Sequence, residues 1–351
     1  MMNDHTSGIL DRSYIEIYIS VIAPHVGTSV ANEAKMDLLS DILGVMQLTG
    51  TLYFRTSFTS PWGVEVPQFE NVSRFHYAHR GRCFARVDGQ REPVLLEQGD
   101  LIIITRGAGH VLSDPIDAEA GSVDDVVQAS GFTGRGALVY GGDSPGHETQ
   151  LICGHFAFDP GAKHVLIDAL PAYIRIKDYG KAAPDWLNDT LKIIGGEAGA
   201  EALGSDLIAL KLSEIIYTQA VRTYLTTEGR TQPGLAGFSD ARIRRALEQI
   251  HTNPSAAWTV ADLARVAGLS RTAFSNRFHQ LLDQPPLSYL TDWRMQLARR
   301  LLIDTEMPMI DIAEQSGYRS EAAFGRVFKK HFSVPPASYR RSHDASVQAA
   351  P

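Results

Sequence analysis

The sequence predicts a two-domain α+β protein: an N-terminal β-barrel with appended helices, then an all-α C-terminal part built from two helix-turn-helix units. Three observations carry this reading. Short apolar or alternating runs separated by glycine-rich turns fill the first half of the chain, the pattern of a barrel or sandwich. The C-terminal part repeats itself at eleven positions. Charge divides at the same boundary. Residues 239–341 hold 15 Lys and Arg against 10 Asp and Glu, a balance of +5. Residues 1–238 hold 18 against 29, a balance of −11, within a whole-chain net charge of −7.

Residues 1–30 carry no strong pattern and read as a loosely ordered extension. The barrel domain is expected over 31–226, a polar Gly/Pro linker over 227–238, the repeat domain over 239–341 and a tail over 342–351. A helix is expected from Leu38 to about Leu48. Strands are expected at Leu52 to Phe58, Phe75 to His79, Cys83 to Val87, Pro93 to Leu96, Leu101 to Ile104, Ala137 to Tyr140 and Leu151 to Phe158. The stretch from Asp114 to Gly136 is poor in strand signals and reads as a mobile loop. Helical periodicity begins at His164 and is clearest from Leu203 to Thr226, where Leu203, Leu207, Leu210, Leu212, Ile215, Ile216 and Tyr224 crowd one broad side. Such a helix either pairs with a twin in a homodimer or covers its own barrel.

In the repeat, Ser270, Ala273, Phe274, Phe278, Pro285, Pro286 and Tyr289 recur fifty residues later as Ser320, Ala323, Phe324, Phe328, Pro335, Pro336 and Tyr339. Asp262, Leu263, Ala264 and Gly268 recur at forty-nine as Asp311, Ile312, Ala313 and Gly317. Each copy has a small residue where two helices cross, a glycine that accepts a left-handed turn, and a serine that caps the next helix. Two such units can present two recognition helices to one face of double-stranded DNA. Phe274, Phe278, Phe324 and Phe328 should point inward, with Ala273 and Ala323 packed on the preceding helices. The outward faces then carry Arg271, Thr272, Ser275, Asn276 and His279, and Glu321, Ala322, Gly325, Arg326 and Lys329. Asn276 suits an adenine edge and Arg326 a guanine, whereas Arg271, Lys329, Lys330, Arg340 and Arg341 suit phosphates. Leu290, Trp293, Leu297 and Leu301, at helical spacing between the units, imply a long helix that fixes the distance between the readers.

No apolar run approaches the length needed to cross a bilayer, so no membrane partner is expected. Asp4, Asp11 and Glu16 interrupt the region where a secretory signal would lie. Two cysteines, Cys83 and Cys153, make no disulfide framework, and a reducing cytoplasm is expected.

At Trp258-Thr-Val-Ala-Asp-Leu-Ala-Arg-Val-Ala-Gly-Leu-Ser-Arg-Thr-Ala-Phe, and again from Asp311 through Phe328-Lys-Lys to Pro335-Pro-Ala-Ser-Tyr-Arg340, the chain resembles the AraC/XylS family of bacterial transcription regulators. The resemblance covers about a hundred residues and departs at Asp283-Gln-Pro-Pro286, where a glycine is usual. It implies sequence-specific DNA binding, RNA polymerase as a partner, and base-facing positions at Thr272, Ser275, Asn276, Glu321, Ala322 and Arg326. Gly99 through His110 resembles a second cupin motif, and Phe75-His76 with Gly81 a degenerate first one. Tyr53-Phe-Arg, Pro61-Trp-Gly and Cys153-Gly-His-Phe are similar to the cupin-like sensor domain of one subgroup.

The resemblance implies a barrel that senses a small-molecule effector, or a redox or metal signal, with Trp62, His76, His110, Cys153 and His155 as candidate lining residues. Cupin oxygenases hold metal with two histidines and a glutamate from the first motif. Here Ala78 follows His76 by two and no glutamate sits at the expected distance, which argues against enzymatic activity. The alternative is a cupin-type metal enzyme fused to a DNA-binding domain. Cys153 and His155 alternate by two on one strand, and with His110 and His76 they form a candidate zinc set. The competing reading is a buried small hydrophobe beside hydrogen-bonded core histidines. A redox role for either cysteine would need an exposed thiolate.

Overall fold

Side-chain alternation on a few central strands builds two cores from one sheet. A computed structural model describes residues 37–133, 136–142, 146–177 and 203–348; the expected N-terminal extension lies outside them. The strands are β1 (Thr49–Thr59), β2 (Trp62–Val66), β3 (Val72–Arg80), β4 (Arg82–Val87), β5 (Val94–Glu97), β6 (Leu101–Ile104), β7 (His110–Asp114), β8 (Gly121–Ser122), β9 (Ala137–Gly141), β10 (Glu148–Ala157) and β11 (Tyr173–Ile176). They form a six-stranded sheet in the order β11-β6-β3-β10-β1-β9 and a five-stranded sheet in the order β5-β4-β7-β2-β8. On β3, β6 and β10 successive side chains point to opposite faces. Ala78, Ile102, Ile104, Leu151 and Cys153 turn inward, to a core shared with Cys83, Ala85 and Leu112 of the second sheet. Phe75, Tyr77, Leu101, Ile103, Ile152 and Phe156 turn outward, to a second core covered by helices.

Every expected strand forms, and four more join them. Strand β7 hides its period because His110, Ser113 and Asp114 are buried polar residues. Strand β11 lies where helical periodicity was read; Tyr-Ile-Arg-Ile instead pairs antiparallel with β6. The expected mobile loop from Asp114 to Gly136 contains β8 and helix α2 (Val123–Ser130). Ser122 caps that helix by accepting from Asp125 N–H while donating to its carboxylate.

Helix α1 (Leu38–Met46), the short α3 (Val165–Asp168) and α4 (Ser205–Thr226) cover the outer face. On α4 the buried stripe is Ile216, Tyr217, Ala220, Val221, Tyr224 and Leu225, so this half covers its own barrel. Leu203, Leu207, Ile208 and Ile215, at or near its N-terminal half, remain exposed. The expected linker is no flexible tether. It holds a 3-10 turn (Glu228–Arg230) and α5 (Ala236–Ser239), with Leu235, Ala236 and Phe238 buried. A Cβ on Gly237 would stand 2.5 Å from Leu282, so only glycine permits this approach.

The helical half contains α6 (Ala241–Thr252), α7 (Val260–Ala267), α8 (Arg271–Leu282), α9 (Pro286–Asp304), α10 (Met309–Gln315), α11 (Glu321–Phe332) and α12 (Pro336–Gln348), the last continuing into the expected tail. The first unit shares the barrel's outer core through Leu263, Phe274, Phe278, Tyr289 and Trp293. The second closes its own core of Met295, Ala298, Leu302, Ile312, Ala313, Phe324 and Phe328. Helix α9 serves both. Its Arg299 is 0 % exposed and bonds Asp159 Oδ2 (3.3 Å) and the Val45 carbonyl (3.1 Å), both from the barrel half, and Gln296 Oε1 (3.3 Å).

A buried guanidinium that loses its carboxylate keeps its desolvation cost without the compensating charge. Asp159→Asn should therefore lower the unfolding free energy of the full chain by about 2 kcal/mol, measured by urea denaturation. An unchanged midpoint would show that Arg299 finds another counter-charge.

Candidate nucleic-acid interface and sensor cavity

The two readers are built alike from local signals. Thr259 and Asp262 form a reciprocal capping box that starts α7. Gly268 (φ +67°) and Gly317 (φ +77°) take the left-handed turns that redirect the chain into the second helices. Ser270 and Ser320 then accept from Ala273 N–H and Ala323 N–H, each at 3.3 Å, and cap α8 and α11. Phe274, Phe278, Phe324 and Phe328 are buried as expected. Ala273, expected to pack on the preceding helix, is exposed and Ala323 half-buried; Ala264 and Ala313, the small residues expected at the crossings, are buried.

The outward faces carry what the spacing predicted. Arg271, Thr272, Asn276 and His279 are exposed on α8, with Ser275 half-buried; Glu321, Ala322, Arg326 and Lys329 are exposed on α11, with Gly325 half-buried; Lys330 is exposed beside them. Arg340 is the correction. Its guanidinium donates to the carbonyls of Leu302 (3.2 Å) and Met307 (2.8 Å), satisfying acceptors at and just beyond the C-terminal end of α9. Sequence reasoning also missed two arginines that brace the readers. Arg277 of α8 pairs with Asp240, the cap of α6. Arg294 of α9 donates to Pro254 O (2.7 Å) and Ala256 O (2.8 Å), with its guanidinium 5.9 Å from the Tyr318 ring centroid. It ties the first unit to the turn of the second.

Between the sheets lies a cavity of about 310 Å³, lined by Phe58, Val64, Leu112, Val127, Leu138 and Leu151 among others, with Arg74, His76 and Cys153 among the rest of its wall. Arg74 is buried, donates to the Pro67 carbonyl (2.6 Å) and lies 4.6 Å from the Phe69 ring centroid. It shares the inward parity of His76 on β3, the one signal by which sequence could have found it. Of the candidate lining residues, His76 and Cys153 reach the cavity. Trp62 packs on Phe58 in the core, ring centroids 4.7 Å apart, and His110 stands behind His76. His155 sits opposite Arg74 in the β10–β3 register.

The candidate zinc ligands do not converge. His76 uses both ring nitrogens on its neighbours, Nδ1 at 3.1 Å from Cys153 Sγ and Nε2 at 2.8 Å from His110 Nε2. The donors form a line and spend themselves on one another. Among the described residues no three His, Cys, Asp or Glu side chains gather around one point. This does not fit the cupin metal centre, nor the set His110, Cys153 and His155. Burial holds His76 well below the usual imidazole range and His110 down to about 4, so both are neutral. Burial also pushes the Cys153 thiol up to about 12 and the Cys83 thiol up. Neither buried cysteine offers the exposed thiolate that redox sensing needs.

Two braced recognition helices behind a sheet-rich domain with a cavity between its sheets define a DNA-binding regulator with an attached ligand-sized pocket. Residues 37–226 match the cupin family and 263–342 a helix-turn-helix domain. An AraC-like transcription regulator of Streptomyces lividans is 34% identical over 309 residues, spanning 87% of this chain and 98% of that one. The regulator AlkR of Acinetobacter baylyi is 27% identical over 87% of this chain and 99% of its own. Among solved structures, the DNA-binding domain of the global transcriptional factor AdpA bound to a target DNA is 27% identical, covering 32% of this chain and 99% of that one with a TM-score of 0.30. The chain belongs to the AraC family of DNA-binding transcription regulators, with an N-terminal cupin domain. Among the described residues no helix is long and apolar enough to cross a membrane.

Arg340→Ala should lower the thermal midpoint, because two carbonyls near the end of α9 lose their donor. The salt dependence of DNA affinity should stay as in the wild type; a slope reduced by about one would restore Arg340 to the phosphate contacts.

Proposed function

We propose that the chain is a cytoplasmic, non-enzymatic regulator that reads two adjacent major-groove segments of a promoter and responds to a small apolar effector held in the barrel. The observation that carries this is the pairing of two exposed, matching recognition faces with a cavity of apolar lining and one buried cation. Thr272, Ser275, Asn276, Glu321, Ala322 and Arg326 face the bases, and Arg271, Lys329 and Lys330 the phosphates. The effector has an apolar body of a size to fill about 310 Å³ and an acceptor group for Arg74 or His76. The exposed Leu207, Ile208 and Ile215 of α4 support a homodimer, and RNA polymerase is the partner at the promoter.

Titration of the full chain with its operator separates reading from positioning. Arg326→Ala should lose about 1–3 kcal/mol and relax preference at one base pair. Lys330→Ala should weaken every sequence alike and flatten the salt slope by about one. Equal losses on specific and random DNA for both variants would refute the assigned face. Leu138→Trp should fill the cavity, so that the variant binds operator as the wild type does but no longer responds to effector. A retained response would move the effector elsewhere.

A further inference from the structure

The corner of the barrel that follows β10 receives both halves of the duplicated reader. Tyr289 and Tyr339 are equivalent in the repeat. Tyr339 donates to the Pro160 carbonyl (3.3 Å), and the buried Tyr289 hydroxyl stands between two buried histidines, one from each side of the junction. His164 of the corner places Nε2 at 3.1 Å from that hydroxyl, and His251 of α6 places Nε2 at 2.7 Å. On the far side, His251 Nδ1 lies 3.7 Å from Asp41 Oδ2 of α1, and its ring stacks on Trp293 at 3.9 Å.

One backbone group orders the whole chain of bonds. Leu166 N–H donates to His164 Nδ1 (3.1 Å), so that nitrogen carries no proton. The neutral ring therefore keeps its hydrogen on Nε2 and donates to the tyrosine oxygen. The Tyr289 hydroxyl then donates to His251 Nε2, which leaves the His251 proton on Nδ1, facing Asp41. The tautomers follow from the bonding pattern.

We propose that Asp41, His251, Tyr289 and His164 form a proton-gated joint between the barrel and the DNA-reading half, closed while both imidazoles are neutral and loosened when either takes up a proton. A second proton on His164 must go to Nδ1, where it meets the Leu166 N–H head-on. A second proton on His251 must go to Nε2, which strips the buried Tyr289 hydroxyl of its acceptor. The other titratable and charged side chains of the pocket beside His164 and Tyr289 are Lys163 and Asp168 at the corner, Asp283 after α8, Asp292 of α9 and His331 of α11. Burial lowers the proton affinity of both rings, with Asp41 partly offsetting it at His251 and each cation opposing the other at His164. The closed joint thus binds fewer protons than the open one. Closure is complete above the ordinary imidazole value of about 6.5 and weakens as pH falls through it, by up to about tenfold per histidine between pH 7.5 and 5.5.

The test needs neither operator nor effector, so its failure is separate from any failure of the functional reading. Hydrogen exchange of the full chain, corrected for intrinsic rates, is followed across residues 162–170 and 286–304 at pH 7.5 and 5.5. Protection in both segments should drop by tenfold or more at the lower pH. The double variant His164→Asn with His251→Gln keeps neutral polar groups in place and should lose the step. His331→Gln, which removes the neighbouring titratable imidazole, should retain it. Equal wild-type protection at both pH values, a step that persists in the double variant, or one that vanishes in His331→Gln would overturn the joint. Should the double variant fail to fold, imidazole carbon NMR of the wild type decides. Two rings that stay neutral well below pH 6.5 support the joint, and two ordinary titrations reject it.

Discussion

Arg299 is the contact on which the arrangement of this molecule turns. It sits on the helix that connects the two readers, is wholly enclosed, and takes its counter-charge from Asp159 of the barrel. Charge in a low-dielectric interior is tolerated only with a partner, so the position of α9 is tied to the end of β10. Arg300 reaches the same carboxylate at 3.5 Å. The outer-sheet core continues this tie in apolar form, running from Phe75 and Phe156 through Tyr217 to Phe278 and Trp293. The DNA-reading half is therefore seated on the barrel domain rather than tethered to it.

What sequence made legible follows the physics of each element. The repeat was readable because both units use local devices at fixed spacing: a capping serine, a turn glycine and two phenylalanines one helical turn apart. The long strands were readable because an outward apolar core and an inward one leave continuous or alternating runs. Legibility failed where burial and polarity part company. His110, Ser113 and Asp114 are polar yet enclosed, and β7 was lost with them. Leu235 and Phe238 stand in a stretch whose composition reads as linker, yet they pack into the core. Arg340 shows the same limit at the interface. Its charge and position suit a phosphate, and only tertiary structure reveals the two carbonyls that hold it.

The barrel departs from the cupin metal plan in a way that sequence half disclosed. The missing glutamate was visible, whereas the fate of the remaining donors was not. His76 bridges Cys153 and His110, and the three satisfy one another along the wall of an apolar cavity. Neutral imidazoles and an undissociated thiol leave Arg74 as the buried charge of that wall, which suits an apolar guest carrying one acceptor group.

The nineteen residues of α9 extend about 28 Å, close to one turn of B-form DNA at about 34 Å. Arg294 locks this strut at the junction of both units, so the distance and the rotation between α8 and α11 are set together. A single inserted base pair between the two contacted segments would turn one of them about the duplex axis by roughly a tenth of a revolution. A jointed protein would swivel to follow. With α9 continuous and braced by Arg294, helical phase would become part of what the proposed two-segment reader recognises.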